Sequence, residues 1–503
     1  MVKSMSSVSD KSGKMRQLFA ALIVNGLSLA YGLVCGWGSP MVPLLQRGQV
    51  SGWEGPVPDE QAASWIGGLF CLGGLAVAPL LGWMLERLGR KGFGYATCCP
   101  MMLSWLLTGW PWRSLGWLYA ARALGGVSGA MGMFFVPVYV SEIASEANRG
   151  ALGSLLLFGI NIGVLVAFVA GSVLSYGAFA LLGVAVVLVF VVGFYFLPET
   201  PVYLVRQGRT VEATKSLIYF TGNNKTLVNE KLSDLQAQIH SREGENPARN
   251  PSLCDLFKDR ATRRGMIIVL GLLGGQQFCG IFAMINYAET IFRASGSSMS
   301  PQTSATMLAT IQVLGSYVST TLMERAGRRM LVLFSCFGMC LCHLSVGVFC
   351  MLQASGWDVS AVSWLPPLAL STYMAVYCLG MGPAPFVVAS EVFRVELSSA
   401  ANTCCFVFLW AMAFVVVKSF GSMIELMGIG GCFLMLSAFC ASSFVFALAM
   451  LPETKGRKRE DIVEELALGG RGSTRKPVAR TYFDREMQEA DGDKDKCSTE
   501  TAR

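Results

Sequence analysis

Charge is what this sequence has least of. Only 15% of its 503 residues are Asp, Glu, Lys or Arg, against about 25% in a typical soluble chain. With 53% hydrophobic residues and a mean hydropathy of +0.50, that shortage excludes an ordinary water-soluble domain. Histidine is scarcer still. The two present, His240 and His343, lie far apart in sequence, and no CxxC or Cys/His spacing suggests a metal site. Cysteine is plentiful at 16, but most, such as Cys71, Cys98, Cys99, Cys404 and Cys405, fall in apolar runs, where the thiol behaves as a small hydrophobe. No nucleophile–base pair points to an enzyme, and no cofactor or metal is implied. The net charge of +7 flanks the apolar runs, so it reports topology and contact with anionic lipid, not nucleic acid.

What is there is apolar length. A spanning helix needs about 20 apolar residues, and 20–46, 61–85, 92–112, 265–288 and 397–417 each reach that without a charge. Dividing the longer runs at turn signals predicts twelve spans, near 18–38, 62–85, 93–111, 115–140, 150–171, 177–197, 265–291, 302–323, 330–352, 364–390, 398–420 and 429–451. The chain is expected to be an all-α, multi-pass membrane protein. Lys3, Lys11, Lys14 and Arg16 in the N-terminal tail, Arg87, Arg90 and Lys91 after span two, and Arg325, Arg328 and Arg329 after span eight put these loops in the cytosol. The opposite loops hold little beyond Arg47, Arg113 and Arg293. Both termini are expected in the cytosol, and the first apolar segment reads as span one, not as a signal peptide.

An internal repeat divides the chain. "LERLGRK" (85–91) returns as "MERAGRR" (323–329), "SEI" (141–143) as "SEV" (390–392), and "LPET" (197–200) unchanged at 451–454, at offsets of 238, 249 and 254 residues. Duplicated halves with a solute site between them near the bilayer midplane are a common transporter design. The expected organisation is an N-terminal tail (1–17), a six-helix half (18–200), a cytosolic linker with short helices (201–264), a second six-helix half (265–451), and a cytosolic, disordered C-terminal tail (452–503).

These residues carry a resemblance. "GWMLERLGRKG" (82–92), "VPVYVSEIASEANRGALGS" (136–154), "LPETPVYLVRQGR" (197–209), "GGQQFCGI" (274–281), "ERAGRR" (324–329), "GPAPF" (382–386) and "LPETKGR" (451–457) together resemble the sugar porter family of the major facilitator superfamily. "CGWGSPMVPLLQ" (35–46), "NIGVL" (161–165) and "VVKSF" (416–420) are most similar to its arthropod facilitated trehalose transporter-like branch.

Glu86, Glu142, Glu324 and Glu391 fall at cytosolic span ends, near Arg87, Arg90, Arg149, Arg325, Arg328 and Arg329. One exposed pair is worth only about 0–1 kcal/mol, so a switch needs a network. The resemblance implies a cytosolic gate that holds the outward-open state. The family has an arginine seven residues after Glu391; this chain has Ser398, with Arg394 nearer.

A sugar site wants amides, which both donate and accept, beside a flat aromatic. "GLLGGQQFCGIFAMINYA" (271–288) places Gln276 and Gln277 inside an apolar span. Neighbouring helix positions point about 100° apart, so a break beside Gly274, Gly275 and Gly280 is expected if both are to reach a cavity. The resemblance adds Gln312, where Asn is usual, Phe386, where Trp is usual, and Trp410. Leu157 and Phe282 stand where the family keeps amides, and each has an amide one helical turn later, at Asn161 and Asn286.

The expected activity is facilitated transport of a hexose or trehalose by a monomer in the plasma membrane. A proton–sugar symporter is the alternative, but span one has no acid and the coupling position falls near Leu33, leaving Arg122 without its usual partner. A transport-poor nutrient sensor is a third possibility.

Overall fold

A backbone in hydrocarbon must satisfy its own polar groups, and the apolar runs do so as helices. The structure, a computed structural model, describes residues 2–50, 53, 55–109, 114–222, 225–244, 256, 259–294, 299–394, 397–457 and 459–468, with no strand among them. Among the described residues, nine helical stretches are long and apolar enough to cross a membrane. Two of them, Glu60–Gly109 and Ala400–Met450, are double spans turned back at Gly89 (φ 75°) and Gly428 (φ 71°). With the more polar helix Pro301–Ala326, the chain makes twelve crossings in two halves. The first span, Gly26–Gln46, runs past the expected end at residue 38, through Pro40 and Pro43.

Packing follows small residues and lipid exposure. A methyl group added to Gly32 would sit 2.0 Å from the Ile160 carbonyl oxygen, so spans one and five meet backbone to backbone, the arrangement small residues permit. Val173, Leu181, Val189, Tyr317 and Leu426 point outward, onto the face a bilayer would cover.

The repeat has a structural meaning at the turns after spans two and eight. In the first half the Glu199 carboxylate accepts from the Lys91 N–H at 2.9 Å, capping the helix that restarts after Gly89. In the second half Glu453 accepts from the N–H groups of Arg328 at 3.0 Å and Arg329 at 3.2 Å, after Gly327 (φ 92°). A Cβ at Gly89 or Gly327 would stand 2.8 or 2.7 Å from the capping carboxylate. Each "LPET" glutamate thus fills the space its partner glycine leaves.

Helices Pro201–Arg206, Thr210–Thr221 and Lys225–Gly244 form the linker between the halves. The N-terminal helix, Val2–Val24, docks on the second of these: Arg16 and Gln17 donate to the carbonyls of Tyr219 and Phe220. The C-terminal segment corrects the expectation of a disordered tail for 459–468. Arg459–Leu468 is a helix that buries Ile462, Val463 and Leu466, while its Leu466 carbonyl accepts from Arg264. Three apolar side chains on one face suffice to anchor a short helix; averaging over the whole polar tail hides them. Residues 469–503 lie outside the described residues.

Candidate functional site

Span seven consists of two helices, Arg260–Phe278 and Ile281–Ala294, with a break at Cys279–Gly280. Gly280 has φ 87°, open to glycine and strained for other residues. The break lies beyond both glutamines, so Gln276 and Gln277 occupy regular helix and point in different directions. Gln276 donates to the carbonyls of Met381 (3.1 Å) and Gly382 (2.8 Å), where span ten is itself interrupted between Leu365–Leu379 and Ala384–Val392. Gln277 donates weakly to Gln276 Oε1 at 3.4 Å, and its own Oε1 is buried without a partner.

Gln312 and Asn161 join the two halves. Gln312 Nε2 donates to Asn161 Oδ1 at 2.9 Å, and Asn161 Nδ2 donates to the Ser316 hydroxyl, one turn along span eight. Gln312 Oε1 is left buried and unpartnered. Trp410 is almost fully buried, edge-on to Phe70 at 5.9 Å and Tyr31 at 6.4 Å, with Phe282 at 6.5 Å. It fits because Gly74 has no side chain: a Cβ there would lie 2.5 Å from the indole. The indole N–H is the third unpartnered polar group. Two acceptors and one donor are thus buried without a protein partner on three of the residues chosen from sequence; eleven other buried side-chain atoms among the described residues share that condition, and what sets these three apart is that they belong to the candidate site. Phe386 is half-buried against the core and has no aromatic contact with Trp410.

Asn286 stands apart. Its Nδ2 returns to the Phe282 carbonyl at 2.9 Å, and the residue lines a cavity of about 20 Å³ with Gly38, Gly67, Glu60 and Tyr287, room for about one water. Just outward, Glu289 on span seven binds Arg47 of the first half at 2.9 Å and Arg293 of its own helix at 2.5 Å. Lys418 donates to the Ser64 hydroxyl at 2.7 Å and lies 4.7 Å from the centre of the Trp65 ring, again across the halves. These contacts hold the two halves together at this end. Sequence inspection missed Glu289, Arg47 and Lys418 as a set. The visible signal is an acid placed directly after the uncharged run 265–288.

The repeated Glu/Arg charges at the other end close within each half. Arg90, 2% exposed, binds Glu142 at 2.8 Å and Glu86 at 3.1 Å; Arg206 also reaches Glu86. Glu142 accepts from the Thr200 hydroxyl at 2.5 Å. In the second half Arg328 binds Glu391 at 2.9 Å, whereas Arg394 faces Asp259 at 3.9 Å and does not replace the arginine missing at Ser398. Arg87 stacks on Trp83, Arg329 donates to the Leu448 carbonyl, and the Arg325 carbonyl accepts from Lys455. Arg149 is exposed and unpaired among the described residues, and the Glu324 side chain lies outside them. Ion pairs holding the halves together were expected at this face. Among the described residues the one ion pair between the halves is Arg47–Glu289, at the opposite end of the bundle.

Arg122 is buried in span four. It donates to the carbonyls of Ile66 (3.2 Å) and Val34 (2.8 Å) and lies over the rings of Trp37 and Phe70.

Similar proteins place this architecture. The facilitated trehalose transporter of Aedes aegypti is 32% identical over 450 residues, covering 90% of this chain and 55% of that protein. That of Culex quinquefasciatus is 31% identical, covering 90% and 86%. The chain spans just over half the length of the Aedes aegypti and Anopheles gambiae relatives. The solved structure of the proton:xylose symporter XylE bound to 6-bromo-6-deoxy-D-glucose matches with a TM-score of 0.70 at 20% identity, over 90% of this chain and 99% of that one. A partially occluded inward-open form of the xylose transporter XylE from E. coli gives 0.71 at 19% identity, over 88% and 100%. Both show the major facilitator fold. Residues 19–466 match the family described as "Sugar (and other) transporter", and the chain belongs to that family.

Proposed function

We propose that this protein is a facilitative sugar transporter, carrying a hexose or trehalose by alternating access between its two halves. The observation that carries the proposal is the unpartnered set on Gln277, Gln312 and Trp410. A sugar hydroxyl can donate to each amide oxygen or accept from the indole, and the ring face of Trp410 suits the C–H side of a pyranose. The Gln312–Asn161 bond across the halves lets a bound sugar substitute for contacts that must break as the halves move. Asn286, which lines the small cavity beside Gly38 and Gly67, and Phe386, half-buried against the core, are proposed as further contacts of the solute. The relatives named as facilitated trehalose transporters support the same substrate class.

Facilitated diffusion is favoured over proton coupling by the surroundings of Arg122, whose guanidinium meets carbonyls and ring faces, with Leu33 where a coupling acid is expected. The protein is proposed to work as a monomer in the plasma membrane with both termini in the cytosol. Purified protein in proteoliposomes tests the proposal: labelled glucose or trehalose should enter only down its own gradient. Accumulation above equilibrium driven by an imposed pH gradient overturns the facilitative mechanism, and uptake of neither sugar overturns the substrate class.

A further inference from the structure

The break in span seven decides where Gln276 and Gln277 stand, and side chains from two other spans hold it. At the break the backbone ladder shifts: Cys279 N–H bonds the Gly275 carbonyl, Gly280 N–H bonds that of Gln277, and Met284 N–H resumes at Gly280. The Cys279 carbonyl, caught between the two helices, accepts from the Tyr373 hydroxyl of span ten at 2.9 Å and from His343 Nε2 of span nine at 3.0 Å. A carbonyl has two lone pairs, and here each has a donor. Because that oxygen only accepts, the bond requires the proton on Nε2, leaving Nδ1 without a partner.

His343 is fully buried and sandwiched between the rings of Tyr373 at 4.5 Å and Phe433 at 5.6 Å. An aromatic hydrocarbon would fill that slot without stranding a polar ring, so a purely packing role leaves the imidazole unexplained. The network reaches the candidate site in one step. The Cys279 thiol donates to the Gln276 carbonyl at 2.9 Å and lies 3.6 Å from the Tyr373 hydroxyl.

We propose that His343 and Tyr373 are positioning residues for transport: their two donors on the Cys279 carbonyl fix the break in span seven, and with it the placement of Gln276 and Gln277. This rests on the sugar-transport function proposed above. His343 touches no solute in this scheme; it acts through the backbone.

The test compares His343→Phe, which keeps a ring and loses the donor, His343→Gln, whose amide nitrogen can restore it, and Tyr373→Phe, which removes one hydroxyl. Two measurements are made on each full-length protein: glucose and trehalose binding, and hydrogen–deuterium exchange of the backbone amides from 276 to 284. Loss of one neutral hydrogen bond is expected to weaken sugar binding about two- to tenfold. Exchange should accelerate in 276–284 but not in the other spans, and His343→Gln should return both readouts towards the parent. Unchanged exchange in that segment in both His343→Phe and Tyr373→Phe overturns the proposal. So does acceleration spread evenly over all spans with sugar affinity intact, which marks a purely structural role. If the parent binds neither sugar, the transport function fails on its own, and the exchange pattern still decides whether these side chains hold the break.

Discussion

Glu289 binds Arg47 across the two halves at 2.9 Å, while Arg293 and Gln302 of its own half hold the same carboxylate oxygen. The asymmetry matters. When the halves part, the Glu289 carboxylate keeps two partners and loses one, so opening this end breaks that charged bond and the Lys418–Ser64 bond without stranding a buried carboxylate.

A hydrogen bond between charged groups contributes about 1.5–3 kcal/mol. Arg47→Gln or Glu289→Gln is therefore expected to shift the carrier towards outward-open by roughly 10- to 150-fold in the ratio of states. The measurement is the rate at which a membrane-impermeant thiol reagent modifies Ala63→Cys, a position lining the outer cavity. The double charge swap, Arg47→Glu with Glu289→Arg, should not restore the closed state fully, because Arg293 would then face an arginine. Unchanged modification rates in both single variants would show that the pair is not a latch.

At the cytosolic face, burial separates two arginines that look alike in sequence. Removing the Arg90 side chain leaves Glu142 and Glu86 without their shared partner, and loss of one member of a buried pair typically costs about 3–5 kcal/mol. Arg90→Ala should sharply lower the thermal unfolding temperature in detergent. Arg149→Ala, at an exposed and unpaired site, should stay within about 0.5 kcal/mol of the parent. A large stability loss in Arg149→Ala would mean that it has a structural partner in this state.

Much of this was legible in the sequence, for physical reasons. Length without charge fixes the number of crossings, since lipid admits little else, and the repeated "LPET" and Gly-Arg signals mark the turns that a carboxylate must cap. Gln276 and Gln277 stood out because paired amides in an apolar span need an explanation, whereas Gln312 and Trp410 came from the family resemblance. What pairs with them did not stand out. Arg47 and Glu289 are 242 residues apart in the chain, and His343 looks like an isolated histidine until the Cys279 carbonyl is placed beside it. Nor does a motif show which conformation is at hand. The repeated Glu/Arg motifs suggest contacts between halves, yet in this structure those charges pair within each half.

The capping glutamates allow a prediction about pH. Burial pushes the Glu199 carboxyl above the usual carboxylate range, against the lowering effect of the Lys91 and Thr200 N–H groups and of Arg90. A raised folded-state value means that the folded protein binds the proton more tightly than the unfolded chain. This group's contribution to stability is therefore greatest at low pH and declines as pH rises through the folded value. Glu199→Gln keeps an acceptor for the Lys91 N–H and removes the titration, so it should flatten this part of the pH profile. Glu199→Ala loses the cap and should cost about 1–3 kcal/mol. Unfolding temperature across the carboxylate range checks both. An identical slope in Glu199→Gln and the parent assigns the pH dependence to other groups.

The unpartnered atoms make the sharpest prediction about the site. If Gln277 Oε1 and Gln312 Oε1 are orphaned because their partner is a sugar hydroxyl, replacing either amide removes one solute bond; the protein acceptors left behind are Asn161 Oδ1 for Gln312 and, through a long 3.4 Å bond, Gln276 Oε1 for Gln277. Loss of one such bond is worth about 0.5–1.5 kcal/mol, a roughly 2- to 13-fold weaker affinity. Gln277→Ala should show that loss with an unfolding temperature close to the parent's, since one buried unsatisfied oxygen disappears while Gln276 Oε1 loses only a weak 3.4 Å donor. Gln312→Ala should lose the same affinity and some stability as well, because Asn161 Oδ1 is then stranded. Gln276→Ala should behave oppositely. Its amide is spent on the Met381 and Gly382 carbonyls, so stability should fall more than affinity. If Gln277→Ala and Gln312→Ala both bind sugar normally, the orphaned oxygens answer to buried water, and the sugar lies elsewhere between the halves.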